Sequence, residues 1–258
     1  MSSVLVTSNT VHFPNGIDIF YTDSGPPPGS HDYTTVIILH GITFTGENLK
    51  KLHNYAHTFN LRTVIWNRRG YAGSSQYNPD ELDDLEYGRG AFLERLGVQL
   101  AHFLRWFIEQ HNVPRVSADH KTGGFAIMGW SFGNATAMTL FSHRDLLPSQ
   151  TYDLLKDYVK NLIIYDATLF AFGWKLPPNE KPLSTYDPLS TFATDPPEVA
   201  LRNFDAWVSS YYDHPKDPES VSDLHFAQRT ESATSDAWSA EDLKAFHDYD
   251  AFMRSDMP

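Results

Sequence analysis

Short apolar runs alternate with longer stretches of helical periodicity along the first two thirds of the chain. Thr35 to Leu39, Val64 to Trp66, Phe125 to Met128 and Asn161 to Asp166 are mainly apolar and each too short for a helix. Such runs fit parallel strands covered on both faces. Between them, Phe92 to His111 repeats apolar residues at helical spacing (Leu93, Leu96, Leu100, Phe103, Leu104, Phe107) and is stopped by Val113-Pro114. Gly46 to Asn60 predicts a second helix, with Leu49, Leu52, Tyr55, Ala56 and Phe59 on its apolar side, and Tyr152 to Val159 a third. Val11 to Tyr21 reads as a hairpin around Pro14-Asn15-Gly16. Pro79 to Gly90 is acidic and polar, a surface loop or short helix, and Arg115 to Gly124 is a polar connection. The alternation predicts an α/β protein with a doubly wound, mostly parallel sheet.

From about Ala167 the pattern changes. Pro177-Pro178, Pro182, Pro188, Pro196-Pro197, Pro215 and Pro218 cut the chain into short pieces. Helices are expected at Glu198 to Tyr212 and Glu241 to Arg254, the second opened by Ser239-x-x-Asp242, with an acid in the usual Glu/Gln place of a capping box. Two segments follow: an α/β core over residues 1–168 and a helical segment over 169–258. Nothing after Asp166 reads as a buried strand. The strand ending there is therefore expected to be an open sheet edge that invites self-association.

Composition narrows the class. The 258 residues carry a formal net charge of -12, which argues against nucleic acid or an anionic membrane as partner. There is no cysteine, so disulfides, thiol nucleophiles and thiolate metal sites are excluded. The N-terminal residues lack a signal-peptide pattern and no run is long enough to span a bilayer, which makes a cytoplasmic location the default expectation.

The chemistry concentrates where the third apolar run meets a helix. Gly129-Trp130-Ser131-Phe132-Gly133 follows a strand pattern and precedes a helix pattern, Ala135 to His143. A serine on such a turn projects its hydroxyl away from the backbone, and the two glycines let the turn close. The helix aims its N-terminal amides at the same place, which suits an oxyanion. Upstream, the first strand run ends in His40-Gly41, and the second leads into Arg68-Arg69-Gly70-Tyr71-Ala72-Gly73-Ser74. In order and spacing, from roughly Val11 to Thr168, these motifs resemble the α/β-hydrolase family in its serine-nucleophile branch. Asn67 and Ala72 depart from its commonest residues, Asp and Gly.

The resemblance implies a hydrolase of esters or related small acyl compounds that needs no cofactor and no metal. Ser131 is its nucleophile, the N–H groups of Phe132 and Ile42 are the oxyanion donors, and His40 organises the oxyanion loop. The proline-rich segment corresponds to a lid. Its aromatics (Phe170, Phe172, Trp174, Phe192, Phe204, Trp207, Tyr211, Tyr212) pack the lid or line an apolar pocket. Hydrolysis and acyl transfer use the same site and stay open. Arg68 and Arg69 are ion-paired loop residues or an anion site, the former being commoner.

The family's usual acid and histidine come after two further strands, which this pattern lacks, so the chain is expected to be a shortened hydrolase or a diverged one. Asp166 is a candidate acid or only pins its loop. His214, His225 and His247 follow no recognisable strand, and the general base stays unassigned. A catalytically silent binding protein is the alternative.

Overall fold

The computed structural model describes residues 4–142, 144–167, 190–214, 216–217 and 229–256, which fall into two units, Met1–Phe172 with Lys244–Pro258 and Gly173–Leu243. The first unit holds a six-stranded sheet: β1 (Thr7–His12), β2 (Asp18–Asp23), β3 (Thr34–Leu39), β4 (Leu61–Trp66), β5 (Phe125–Trp130) and β6 (Val159–Tyr165), in the order β1-β2-β4-β3-β5-β6. β1 and β2 form the expected hairpin and join antiparallel to β4, while β4, β3, β5 and β6 run parallel. β3 sits between β4 and β5, so the loops after all three emerge side by side at the carboxyl ends of the strands. Ligand crevices form at such ends in open α/β sheets.

Alternation along the strands divides the core in two. Ile37, Leu39, Val64, Trp66, Phe125 and Ile127 face α3 (Gly90–Gln110), α4 (Gly133–Ser142) and α5 (Ser149–Lys156), where Leu100, Phe103, Leu104, Phe107, Ala137, Leu140 and Leu155 are buried. Val36, Ile38, Ile65 and Ala126 point the other way, against Leu49, Leu61 and Met128. The helix-period stripe in α3 is thus the main wall of the core, except for Leu93, which is exposed.

Two expected helices change and one open alternative is decided. Gly46 to Asn60 is not one α-helix: a 3-10 segment (Gly46–Leu52), the single turn α1 (His53–Ala56) and a second 3-10 turn (His57–Phe59) replace it. The tighter winding breaks the 3.6 period, and Tyr55 and Phe59 face solvent rather than the sheet. Pro79 to Gly90 resolves into α2 (Pro79–Glu86), started by a reciprocal Asn78–Glu81 capping box with Pro79 in the first turn. The helix expected over Glu241 to Arg254 is split into α7 (Ala240–Phe246) and α8 (Tyr249–Ser255), because Asp248 accepts the Ala251 N–H at 3.0 Å and starts a new helix. Residues from Lys244 group with the first unit, so that part of the 169–258 segment belongs with the core.

In the second unit, α6 (Pro197–Val208) ends short of the expected Tyr212 and packs Phe204 against Phe192 and Trp207. Phe192, Phe204 and Ala200 are buried there. Phe170, Phe172, Trp174 and His225 lie outside the described residues.

β6 pairs with β5 alone among the described residues. Ile163, Ile164 and Tyr165 are 40%, 44% and 54% exposed.

Candidate active site

Ser131 stands between β5 and α4 with φ at 51°, the left-handed region that a side chain rarely enters. Local bonds hold that strain. The Ser131 N–H donates to the Tyr165 carbonyl at 3.1 Å, and the Ser131 carbonyl accepts from the Asn134 backbone N–H at 3.0 Å and from its Nδ2 at 2.8 Å. Asn134 Nδ2 also reaches the Tyr165 carbonyl at 3.0 Å, so one buried side chain ties the turn to the end of β6. Both glycines are obligatory. A Cβ at Gly133 would lie 2.2 Å from the Leu39 carbonyl oxygen, and one at Gly129 would lie 2.5 Å from the Asn134 Cα. Gly41 lets the neighbouring loop come close: a Cβ there would be 3.1 Å from the Ser131 Cβ.

The loop after β3 is fixed around His40, which is fully buried. Its Nε2 accepts the Arg68 backbone N–H at 3.0 Å, which leaves the proton on Nδ1 to donate to the Gly41 carbonyl at 2.7 Å. Burial first, then the charge of Arg68, lower its pKa to about 3, so the ring is neutral and keeps this tautomer. A trans peptide sets its C=O and N–H on opposite sides. Anchoring the Gly41 carbonyl therefore aims the Ile42 N–H away from His40. Among the described residues, the N–H groups of Ile42 and Phe132 donate to no protein acceptor. The Phe132 ring is seated against Tyr77, Phe92 and Leu96.

Arg68 and Arg69 are both internally paired. Arg69 forks onto Glu81 at 2.7 and 2.8 Å, and Arg68 pairs with Asp256 while its guanidinium lies 4.7 Å from the Phe132 ring centre. A cavity of about 270 Å³ is lined by Phe20, Thr22, Ile65 and Asn67, among others, and Ser131 is not part of its lining.

Among the described residues, no candidate acid or histidine is bonded to Ser131. Asp166 is exposed, has φ at 47° and makes no hydrogen bond or ion pair among the described residues. His214 lies in the second unit. His247 pairs its backbone with Phe44 and stacks its ring 4.6 Å from that of Phe44, which in turn lies 5.2 Å from Trp130. Sequence reasoning missed Asn134, Asp248 and Asp256. Asn134, three residues after the nucleophile at a helix start, was the one with a visible signal.

Sheet order, the strained serine turn and the His-Gly loop define an α/β-hydrolase fold over the described residues. No family model matches the chain, and no curated protein matches its sequence. Solved structures with similar folds include Cfl2 from Burkholderia cenocepacia, at 15% identity over 80% of this chain and 58% of that one, TM-score 0.48. An epoxide hydrolase of the α/β-hydrolase superfamily from hot-environment metagenomes is 18% identical over 96% of this chain and 68% of that one, TM-score 0.47. The thioesterase domain of the curacin biosynthetic pathway is 16% identical over 63% and 47%, TM-score 0.39. This chain thus spans about half the length of two of these proteins. At that similarity the site must be understood from its own geometry. No helix among the described residues is long and apolar enough to cross a membrane.

Proposed function

We propose that this chain is a serine-nucleophile hydrolase domain acting on an ester or related small acyl compound. The observation that carries the reading is the pairing of a strained serine with two backbone N–H groups, Ile42 and Phe132, that have no protein acceptor among the described residues. Attack of the Ser131 Oγ on a carbonyl carbon moves negative charge onto the carbonyl oxygen, and two amides beside that oxygen stabilise it. One such donor is worth on the order of 10²- to 10³-fold in rate. The alcohol or thiol leaves, and water then cleaves the acyl-serine ester. A serine at the turn favours acyl chemistry over the alkyl-enzyme route of epoxide hydrolases of this fold, which use Asp as nucleophile. A net charge of -12 disfavours polyanionic substrates.

A second reading is supported by the exposed, unpartnered Asp166 and by the lack of a hydrogen-bonded base at Ser131 among the described residues. It is a binding protein that keeps the pocket and has lost proton transfer. A fluorophosphonate probe separates the two. The hydrolase reading expects one stoichiometric adduct, abolished in Ser131→Ala. Folded protein that takes up no label favours the binding protein.

A further inference from the structure

One buried amino group bridges the backbone on both sides of the nucleophile. The Asn134 side chain is fully buried, and its Nδ2 donates to the Ser131 carbonyl at 2.8 Å and to the Tyr165 carbonyl at 3.0 Å. The Tyr165 carbonyl also accepts the Ser131 N–H at 3.1 Å. The two bonds use both amide hydrogens. They also fix the orientation of the amide, because the flipped form would set Oδ1 against two carbonyl oxygens. In the orientation present, Oδ1 is buried and has no hydrogen-bond partner among the described residues.

Peptide units are planar, so the soft torsions at Ser131 are φ and ψ alone. The unit before Ser131 is held through its N–H on the Tyr165 carbonyl, and the unit after it through the Ser131 carbonyl on Asn134 Nδ2. The same amino group grips the Tyr165 carbonyl, so both units are tied to one atom. This holds φ at its left-handed 51° and sets the direction of the Cα–Cβ bond that carries the hydroxyl. The second unit also contains the Phe132 N–H. In a trans peptide that N–H points opposite to the Ser131 carbonyl, so anchoring the carbonyl aims the amide away from Asn134. The backbone that delivers the amino group is packed tightly on β5, where a Cβ at Gly129 would lie 2.5 Å from the Asn134 Cα.

We infer that Asn134 is a positioning residue for the Ser131 hydroxyl and the Phe132 oxyanion donor together. The inference rests on the serine-hydrolase reading and deepens it. The orphaned Oδ1 argues against a role in stability alone, since a buried acceptor without a partner destabilises a fold. Nor does the backbone need this side chain to satisfy it. The Ser131 carbonyl also accepts the Asn134 backbone N–H at 3.0 Å, and the Tyr165 carbonyl keeps the Ser131 N–H. What the amino group adds is direction, and a displacement of about 1 Å at reacting groups costs on the order of 10²-fold in rate.

The test compares wild type with Asn134→Ala, which removes the amino group and leaves each carbonyl one donor, and with Asn134→Asp, which keeps the shape and loses the donors. Two quantities are read: fluorophosphonate inactivation resolved into probe affinity and a maximal rate, and hydrogen exchange at the Ser131 amide. In Asn134→Ala the maximal rate should fall about tenfold while probe affinity stays within about twofold. Exchange at Ser131 should quicken by about fivefold, the worth of one hydrogen bond. Asn134→Asp should lower the maximal rate at least as far, because a carboxylate there faces two carbonyl oxygens. If Asn134→Ala does not fold, Asn134→Asp decides. An unchanged maximal rate in a wild type that labels, a rate that falls together with probe affinity, unchanged exchange at Ser131, or failure of both variants to fold overturns the inference. A wild type that takes no label defeats the serine reading instead. Exchange at Ser131 alone then decides whether Asn134 holds the turn.

Discussion

The two loops that flank Ser131 are built to opposite standards. On the β3 side, residues 40–45 are buried apart from Ile42, and nearly every peptide unit is bonded to a neighbour. On the β6 side, Asp166 is exposed and bonds to nothing among the described residues. On the proposed reading, the first loop stabilises charge on a substrate oxygen, while among the described residues the second shows no group bonded for proton transfer.

The largest expected effect falls on the rigid side. Gly133→Ala puts a methyl 2.2 Å from the Leu39 carbonyl and should cost about 3 kcal/mol or more, read from urea denaturation. A loss below about 1 kcal/mol would mean that the turn relaxes freely and is not strained by its neighbours.

His40 gives a pH signature. Its folded pKa, about 3, lies below the unfolded value near 6.5, so its contribution is complete above about pH 6.5 and is lost as the pH falls toward 3. Across that window wild type should lose up to about 1.4 kcal/mol per pH unit more than His40→Gln. Parallel stability curves would show that the imidazole is not held neutral.

Two smaller effects belong to the β6 side. Self-association through the open edge, proposed from exposed Ile163, Ile164 and Tyr165, predicts a concentration-dependent dimer in sedimentation velocity that Ile164→Lys weakens. A wild type that stays monomeric at high concentration removes the proposal. Asp166→Asn should change least: Asn tolerates a positive φ as well as Asp, so stability should move by no more than about 0.5 kcal/mol. A tenfold slower Ser131 labelling in that variant would make Asp166 part of the machinery and dissolve the contrast between the loops.

Much of the fold was legible because it is written locally. β3, β4, β5 and β6 each contain a short apolar run, α3 keeps a helical period, and the elbow carries its glycines at fixed spacing. What escaped was tertiary. The period of Gly46 to Asn60 pointed to an amphipathic helix, yet 3-10 winding turned Tyr55 and Phe59 outward. The break at Asp248 and the buried pairing of Asp256 with Arg68 and Tyr71 bring together residues some 180 positions apart, which no periodicity encodes: Tyr71 and Asp256 differ by 185 and Arg68 and Asp256 by 188. The prolines after Ala167 marked the change of architecture, but not the return of Lys244 onward to the core.

The central claim is that the Ile42 and Phe132 amides converge on an oxyanion position beside Ser131. A crystal structure of the phosphonylated protein tests it most directly. The account predicts the adduct on Ser131 Oγ, with its phosphoryl oxygen about 2.7–3.1 Å from both amide nitrogens. A phosphoryl oxygen turned away from Ile42 and Phe132, in a protein otherwise folded as described, would contradict it.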